Sequence, residues 1–221
     1  MCVAKGFAEG GIDKDVLALF EAALGALKEN GYTVREIELP NLKYSLAVYY
    51  VLMPAEASAN LARFDGVRYG LRKEGANLLG DYEATRAQGF GAEPRMRILL
   101  GTYVLSSGYH DAYYRQATAM REAIRREVVS SWNEVDLIAL PTTPSPAFKL
   151  GERTEDPLSM YLSDIFTVSA NITGIPAISI PMGTVLRDKK NLPLGFQFMA
   201  PHFAERRLFE AGKNIEKLFK K

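Results

Sequence analysis

The chain carries few of the side chains that usually perform covalent or metal chemistry. Its single cysteine is Cys2 and its two histidines are His110 and His202, so we expect neither an internal disulfide nor a metal-ligand cluster. The serine-nucleophile pattern G-x-S-x-G, the zinc pattern H-E-x-x-H, the phosphate-binding pattern G-x-x-x-x-G-K and the Cys-x-x-Cys pair are all absent from the sequence. These residue types alone therefore indicate no particular function.

Composition indicates an ordinary globular protein. Of the 221 residues, 48% are hydrophobic and 24% are charged, which is enough to build a core. The 27 Lys and Arg balance the 26 Asp and Glu, so the net field attracts neither nucleic acid nor a membrane surface. No apolar run reaches the roughly 18 to 20 residues that span a bilayer, and the first residues lack the order of a signal peptide. We expect a cytoplasmic protein that does not enter a membrane.

Helical and strand patterns alternate along the first part of the chain. Apolar residues at helical spacing begin after Asp13, which can cap a helix, and stop before Gly31, which can end one. Residues 32–39 are rich in β-branched side chains and partly alternate in polarity, which predicts a strand closed by Pro40. A helix, a glycine and a strand in this order indicate an α/β layer.

The rest of the chain predicts further helices and strands. Residues 43–63 favour a helix that Pro54 should kink or divide, whereas the five glycines of residues 70–91 favour a surface loop or a short helix. Helices resume at Pro94 and break near Gly108. Strands are expected at 137–140, 177–182 and 194–199, the first of them buried on both faces, and a closing amphipathic helix at 204–221.

Four long segments have recognisable sequence motifs. In chain order they are YYVLMPAEASANLARFDGVRYG (49–70), GFGAEPRMRILLGTYVLSSGYHDAYY (89–114), DPLSMYLSDIFTVSANITGIPAISIPMG (156–183) and LPLGFQFMA (192–200). Together they resemble the amidase signature family and, within it, the glutamine-hydrolysing A subunit of the glutamyl-tRNA(Gln) and aspartyl-tRNA(Asn) amidotransferases. The resemblance implies the carboxy-terminal part of that α/β fold, a mixed β-sheet covered by helices on both faces, with residues 1–221 as a single partial domain.

The resemblance also implies what this chain lacks. Family members use a serine nucleophile, a second serine on a cis peptide and a lysine base, all in a Gly/Ser-rich signature of the amino-terminal half. Here the only adjacent glycines, Gly10-Gly11, lead into Ile12-Asp13, and the pairs Ser106-Ser107 and Ser130-Ser131 are better interpreted as structural. Because removing nucleophile and base lowers the rate by orders of magnitude, we expect a truncated or split subunit with no catalytic residue and no amidase turnover alone.

Three positions match substrate-binding residues of the glutamine-specific members. Arg97 in MRILLGT matches the arginine that pairs with the α-carboxylate of glutamine, Asp164 in SDIFT the aspartate that pairs with its α-amino group, and Tyr49 the tyrosine that lines the pocket. A guanidinium fork and a carboxylate are suited to a zwitterionic amino acid. Without the resemblance, Arg97 would be interpreted as a surface arginine, Asp164 as a helix cap and Tyr49 as a core aromatic, with Tyr50 as the alternative pocket residue.

Two other features have a structural explanation beside a functional one. His110 stands where the resemblance suggests tyrosine, and we interpret it as a tolerated change on a helix surface rather than a catalytic base. Residues 141–144 and 174–176 resemble loops that border the family's active-site cleft, although turn chemistry is the preferred explanation for their individual side chains.

The leading hypothesis is therefore part of a glutamine amidohydrolase subunit. The complete subunit would hydrolyse glutamine and pass ammonia to a partner that converts misacylated tRNA to Gln-tRNA(Gln) or Asn-tRNA(Asn). The resemblance implies amidotransferase partner subunits B and C, with ATP and magnesium on the partner, tRNA reached only through the complex, and no cofactor in this chain.

Two alternatives stay open. One is a fragment of a general amidase for small amides, which the joint presence of Arg97 and Asp164 disfavours because a simple amide needs no zwitterion clamp. The other is a non-catalytic scaffold that docks on one of the partner subunits or on a missing amino-terminal half, because half of a sheet leaves apolar edges and faces uncovered.

Overall fold

The protein is represented by a computed structural model that describes residues 1–5, 11–152 and 156–219. These residues divide into two compact units, the first comprising Met1–Leu46 with Arg121–Lys221 and the second Ala47–Met120. The strands are β1 Cys2–Lys5, β2 Arg35–Glu38, β3 Ile138–Pro141, β4 Ala177–Arg187 and β5 Lys190–Met199. The α-helices are α1 Lys14–Glu29, α2 Ser45–Leu61, α3 Leu78–Gly89, α4 Ala92–Leu105, α5 Gln116–Ser131, α6 Pro157–Leu162, α7 Val168–Thr173 and α8 Glu205–Phe219.

The first unit is built on one mixed sheet. Its five strands lie in the order β2-β1-β3-β5-β4. Strand β1 pairs in parallel with β2 and β3, whereas β5 pairs antiparallel with β3 and β4. The predicted mixed α/β architecture is therefore confirmed.

Helix α1 begins and ends for the reasons that its sequence suggests. The Asp13 carboxylate caps it by accepting the Asp15 backbone N–H at 2.9 Å. After the helix, Gly31 adopts a φ of 87°, a left-handed conformation that favours glycine. This turn lets the Tyr32 N–H donate back to the Leu27 carbonyl at 3.0 Å.

The two faces of β5 bury different partners because successive side chains point to opposite sides. Phe196 and Phe198 lie in the core cluster that helices α1 and α8 cover. On the opposite face, Gln197 Nε2 donates to the Phe166 carbonyl at 3.0 Å, and the Ser169 hydroxyl lies 3.6 Å from Met199 Sδ. Both faces of the sheet are thus covered, as predicted.

The β4–β5 hairpin is closed by a two-residue turn and tied to α1. Asp188 and Lys189 have φ values of 49° and 63°, the pair of positive angles that a type I′ turn requires. Immediately before the turn, Arg187 Nη2 lies 3.0 Å from the Asp13 carboxylate and Nη1 2.5 Å from that of Asp15. The long hairpin is therefore anchored to the start of α1.

The second unit is helical, and its helices approach closely at one point. A Cβ on Gly101 of α4 would lie 1.9 Å from the Pro54 carbonyl oxygen of α2. Helix α2 runs through Pro54 as one element, so this proline does not divide it; the kink, the other outcome expected there, stays a prediction. Helix α4 packs directly against the backbone of this turn, and tertiary packing can outweigh an unfavourable local propensity.

Most of the other predicted elements are confirmed with different bounds. Strands β3, β4 and β5 lie where strands were expected, and α8 corresponds to the closing helix. The glycine-rich stretch contains the short helix α3, and α4 stops at Leu105, before the predicted break at Gly108. A π-helical segment, His110–Arg115, then leads into α5. The sequence did not predict β1, α6 or α7.

Candidate functional site

Arg97 is held by contacts from its own helix and from α2. Its side chain is only 17% exposed, and Nε donates to Glu93 Oε1 at 2.5 Å, one turn earlier on α4. Its Cζ lies 5.0 Å from the centroid of the Tyr50 ring, and Nη1 lies 4.0 Å from Met53 Sδ. A guanidinium over an aromatic face and beside a carboxylate has a fixed orientation.

The charge of Arg97 is secure despite this partial burial. Burial acts to lower the pKa of the guanidinium, but the hydrogen bond and the negative charge of Glu93, together with a hydrogen bond to Tyr50, outweigh that effect and raise the pKa above its ordinary value. Arg97 can therefore pair with an anion at any physiological pH.

Of the two neighbouring tyrosines, Tyr50 is the one in contact with Arg97. Tyr49 packs edge-on against Tyr50, with ring centroids 5.2 Å apart, and both are half-buried in α2. The alternative pocket residue that the sequence left open is thus next to the arginine. Tyr49, Tyr50 and Arg97 all belong to the second unit.

Asp164 belongs to the first unit and lies between α6 and α7. The residue is exposed. Its backbone carbonyl accepts the N–H groups of Thr167 and Val168 at 3.0 and 3.1 Å. Helix α7 begins at Val168 with Thr167 at the N-cap position, so Asp164 precedes the cap by one turn rather than occupying it.

A cavity of about 460 Å³ lies beside this segment in the first unit, and its mainly apolar lining includes several hydroxyl groups. Thr142 follows β3, Ser179 lies on β4, and their hydroxyls are 2.6 Å apart. A Cβ on Gly195 of β5 would lie within 2.6 Å of both hydroxyls, so a larger residue there would displace them. Ser163, the neighbour of Asp164, also lines this cavity.

Residues that the sequence associated with loops around a cleft do line cavities. Thr142 and Thr143, from the 141–144 segment, line the cavity above. Gly174 and Ile175, from the 174–176 segment, line another of about 470 Å³ that also includes Gln197. Gly174 ends α7 with a φ of 73°, which is the turn chemistry that the sequence favoured for it.

His110 lies at the start of the π-helical segment. Its ring stacks on Tyr114 with centroids 5.2 Å apart, and Nδ1 lies 3.2 Å from the Asp111 carboxylate. These contacts are local to its own segment, which agrees with a structural residue. Within residues 1–5, 11–152 and 156–219, no group of three or more His, Cys, Asp or Glu could hold a metal ion, and no helix has the length and apolar character needed to cross a membrane.

Comparison with known proteins extends over most of the chain. The family profile described as Amidase matches residues 2–209. The chain belongs to the amidase family. The A subunit of glutamyl-tRNA(Gln) amidotransferase from Acidobacterium capsulatum is 50% identical to it over 218 residues, and its namesake in Parvibaculum lavamentivorans is 48% identical over 214.

The amidase-family relatives are longer than this chain. The two alignments cover 98% and 97% of the chain but only 45% and 43% of those proteins, in their carboxy-terminal part. The crystal structure of the Thermotoga maritima protein of the same name aligns with a TM-score of 0.66 and 36% identity, over 99% of this chain and 40% of that one. A further amidase crystal structure, 24% identical with a TM-score of 0.72 over 96% of this chain and 44% of that one, supports the fold alone.

The structure adds Glu93 to the residues around Arg97, and sequence reasoning missed it. A glutamate four residues before an arginine on one helix was a usable signal, because side chains at this spacing share a helix face. The roles of Arg97, Asp164 and Tyr49 in substrate binding stay predictions.

Proposed function

We propose that this amidase-family chain supplies the amino-acid-binding part of a glutamine amidohydrolase subunit that serves a tRNA-dependent amidotransferase. The observation that carries the proposal is the orientation of Arg97, whose guanidinium is fixed by Glu93 and Tyr50. Support also comes from the roughly 50% identity, along almost the whole chain, to relatives named as the A subunit of glutamyl-tRNA(Gln) amidotransferase. A simple amide substrate would give such an arginine no anion to bind.

In this proposal the chain recognises glutamine by its two charged ends. Arg97 pairs with the α-carboxylate, and the exposed carboxylate of Asp164 attracts the α-ammonium group. Binding residues of this kind usually contribute to catalysis by positioning the reacting group for attack. Tyr49 lines the pocket beside Tyr50.

The covalent step belongs to a different part of the enzyme. A serine nucleophile and its lysine base would come from the segment that relatives carry outside the matched part, and this chain would act together with that segment. Ammonia would pass to partner subunits B and C, where ATP and magnesium support the amidation of misacylated tRNA. We expect this complex in the cytoplasm, where the single cysteine stays reduced.

Ammonia release from glutamine tests the proposal. The pure chain should release none, whereas the chain combined with the remaining amino-terminal part of the Acidobacterium capsulatum relative, hereafter the completed subunit, should release ammonia. In the completed subunit, Arg97→Ala should raise the KM for glutamine by about 10- to 100-fold, since a charge-assisted hydrogen-bonded pair is lost. Turnover by the pure chain, or an unchanged KM in the variant, would reject the assignment.

A second candidate function, a docking scaffold, is favoured by one specific observation. Helix α4 exposes Met96, Leu99, Leu100 and Tyr103, which repeat at the spacing of a single helix face. Tyr109 stacks on Tyr103 with ring centroids 4.2 Å apart and is also exposed. We call this surface the α4 stripe. Contiguous exposed apolar side chains usually mark a protein interface.

The two candidates differ in the effect expected of Arg97→Ala. If the chain is only a scaffold, Leu99→Asp should abolish association with the amino-terminal part in size-exclusion chromatography, while Arg97→Ala has no effect on any activity. If the chain binds glutamine, Arg97→Ala should leave association intact and change the KM. The outcome with Arg97→Ala therefore separates binding of substrate from binding of a partner.

A further inference from the structure

We propose that Glu93 is a positioning residue that orients Arg97 for the α-carboxylate of glutamine, and that it thereby contributes to the choice of an amino acid over a simple amide. The inference rests on the proposed function, in which Arg97 binds that carboxylate. Glu93 itself touches Arg97 and not the substrate.

The position of Glu93 on α4 suits this role. It lies in the first turn of the helix, where a carboxylate is favoured by the helix dipole. Arg97 follows one turn later, and an acidic residue four positions before a basic one is the favourable orientation of such a pair. The Glu93 side chain is 60% exposed whereas that of Arg97 is 17% exposed. A largely solvated carboxylate therefore holds an arginine side chain that is mostly covered.

The guanidinium is restrained from a second direction by α2. Arg97 Cζ lies over the Tyr50 ring, 5.0 Å from its centroid, Tyr50 also hydrogen bonds to the guanidinium, and Met53 Sδ lies 4.0 Å from Nη1. Glu93 accepts the hydrogen bond from Nε. A carboxylate ligand is most often bound by two parallel N–H groups of the guanidinium. With Tyr50 and Glu93 in place, the long arginine side chain has little rotamer freedom left to lose on binding.

The inference predicts a selective defect. Without Glu93, Arg97 keeps its charge but loses the hydrogen bond that restrains Nε, so glutamine should bind more weakly while the chemical step is unaffected. Glu93→Ala in the completed subunit should raise the KM for glutamine by about 5- to 20-fold with kcat within about twofold of the wild type. Propionamide, which has no carboxylate, should show unchanged kinetics.

Three variants make the test specific. Glu93→Gln keeps an oxygen that accepts from Nε and should restore most of the glutamine KM. Glu210→Ala is the matched control, because Glu210 accepts from Arg206 Nε at 2.8 Å across one turn of α8; it should change neither KM. Arg97→Ala reports on the proposed function separately.

The outcomes are distinguishable. A KM increase for glutamine alone in Glu93→Ala, rescued by Glu93→Gln, supports the inference. An unchanged or lowered glutamine KM, or equal changes for glutamine and propionamide, overturns it, provided that Arg97→Ala raises the glutamine KM. If Arg97→Ala also leaves that KM unchanged, the proposed function itself fails, and the inference fails with it.

Discussion

Replacing Gly101 with alanine should destabilise the helical unit by about 2 kcal/mol, because overpacking of this kind typically costs about 1–3 kcal/mol. The new Cβ would lie 1.9 Å from the Pro54 carbonyl oxygen and 2.7 Å from Ser58 Oγ. A side chain could rotate away, but a helix carbonyl cannot. Reaching ordinary contact near 3.4 Å requires α2 and α4 to separate by roughly 1.5 Å, which forfeits much of the dispersion attraction between them. This loss exceeds the helix-propensity gain of about 1 kcal/mol.

A matched substitution in α1 isolates the effect of the close approach. Gly25 is also a helical glycine, but among the described residues no heavy atom outside its own helix backbone lies within 4 Å of the Cβ it would gain. Gly25→Ala should therefore stabilise the chain by about 0.5–1 kcal/mol through backbone entropy alone. Urea unfolding followed by far-UV circular dichroism measures both variants. Equal or increased stability of Gly101→Ala would refute the packing argument.

The same substitution should disturb the candidate site. Arg97 lies four residues before Gly101 on α4, and Tyr50 lies four residues before Pro54 on α2. The contact between guanidinium and ring is therefore one helical turn from the point at which the backbones meet. In the completed subunit, Gly101→Ala should raise the glutamine KM, whereas Gly25→Ala should leave it unchanged.

Three further predictions concern stability and reactivity. Burial raises the pKa of the Cys2 thiol to about 12. Iodoacetamide at about pH 9 should therefore label the native chain far more slowly than the urea-unfolded chain. The free energy of unfolding should fall as pH rises from about 9 towards 12, because in this range the thiol ionises in the unfolded chain but not in the native one. Asp13→Ala removes the cap of α1 and the pair with Arg187, and should cost about 1–2 kcal/mol in urea unfolding; no change would contradict this role. Glu127→Ala leaves the backbone and side-chain N–H groups of Asn41 without their carboxylate, and should cost about 1–3 kcal/mol, with Glu127→Gln much milder.

The sequence predicted the fold best where the spacing of apolar residues agrees with capping or terminating residues at the ends of an element. Helix α1 has both a capping carboxylate and a terminating glycine, and its bounds were predicted to within two residues. Strand β3 was recognisable as a short apolar run before a proline. The continuity of helix α2 was harder to predict from the sequence, because Pro54 disfavours a helix locally. In the structure this turn packs against Gly101 of α4, a contact that no local pattern shows. Strand β1 has no recognisable pattern in four residues and forms because β2 and β3 pair with it on either side.

The candidate site was predictable only in part. Arg97, Asp164 and Tyr49 came from matching motifs to a family, and no periodicity or spacing indicated them. The contact between Arg97 and Tyr50 depends on how α2 packs on α4, which no local pattern encodes. Glu93 was predictable from its helical spacing to Arg97 but was hidden among other charged residues of similar spacing, such as Glu122 and Arg126.

The selectivity of the completed subunit between glutamine and propionamide measures whether this chain recognises an amino acid. We propose that Arg97 and Asp164 of this chain recognise the two charged ends of that amino acid. The ratio of kcat/KM for glutamine to kcat/KM for propionamide should fall by about 10- to 100-fold in Arg97→Ala and again in Asp164→Asn, through loss of glutamine activity alone. A ratio unchanged from the wild type in both variants would contradict the account.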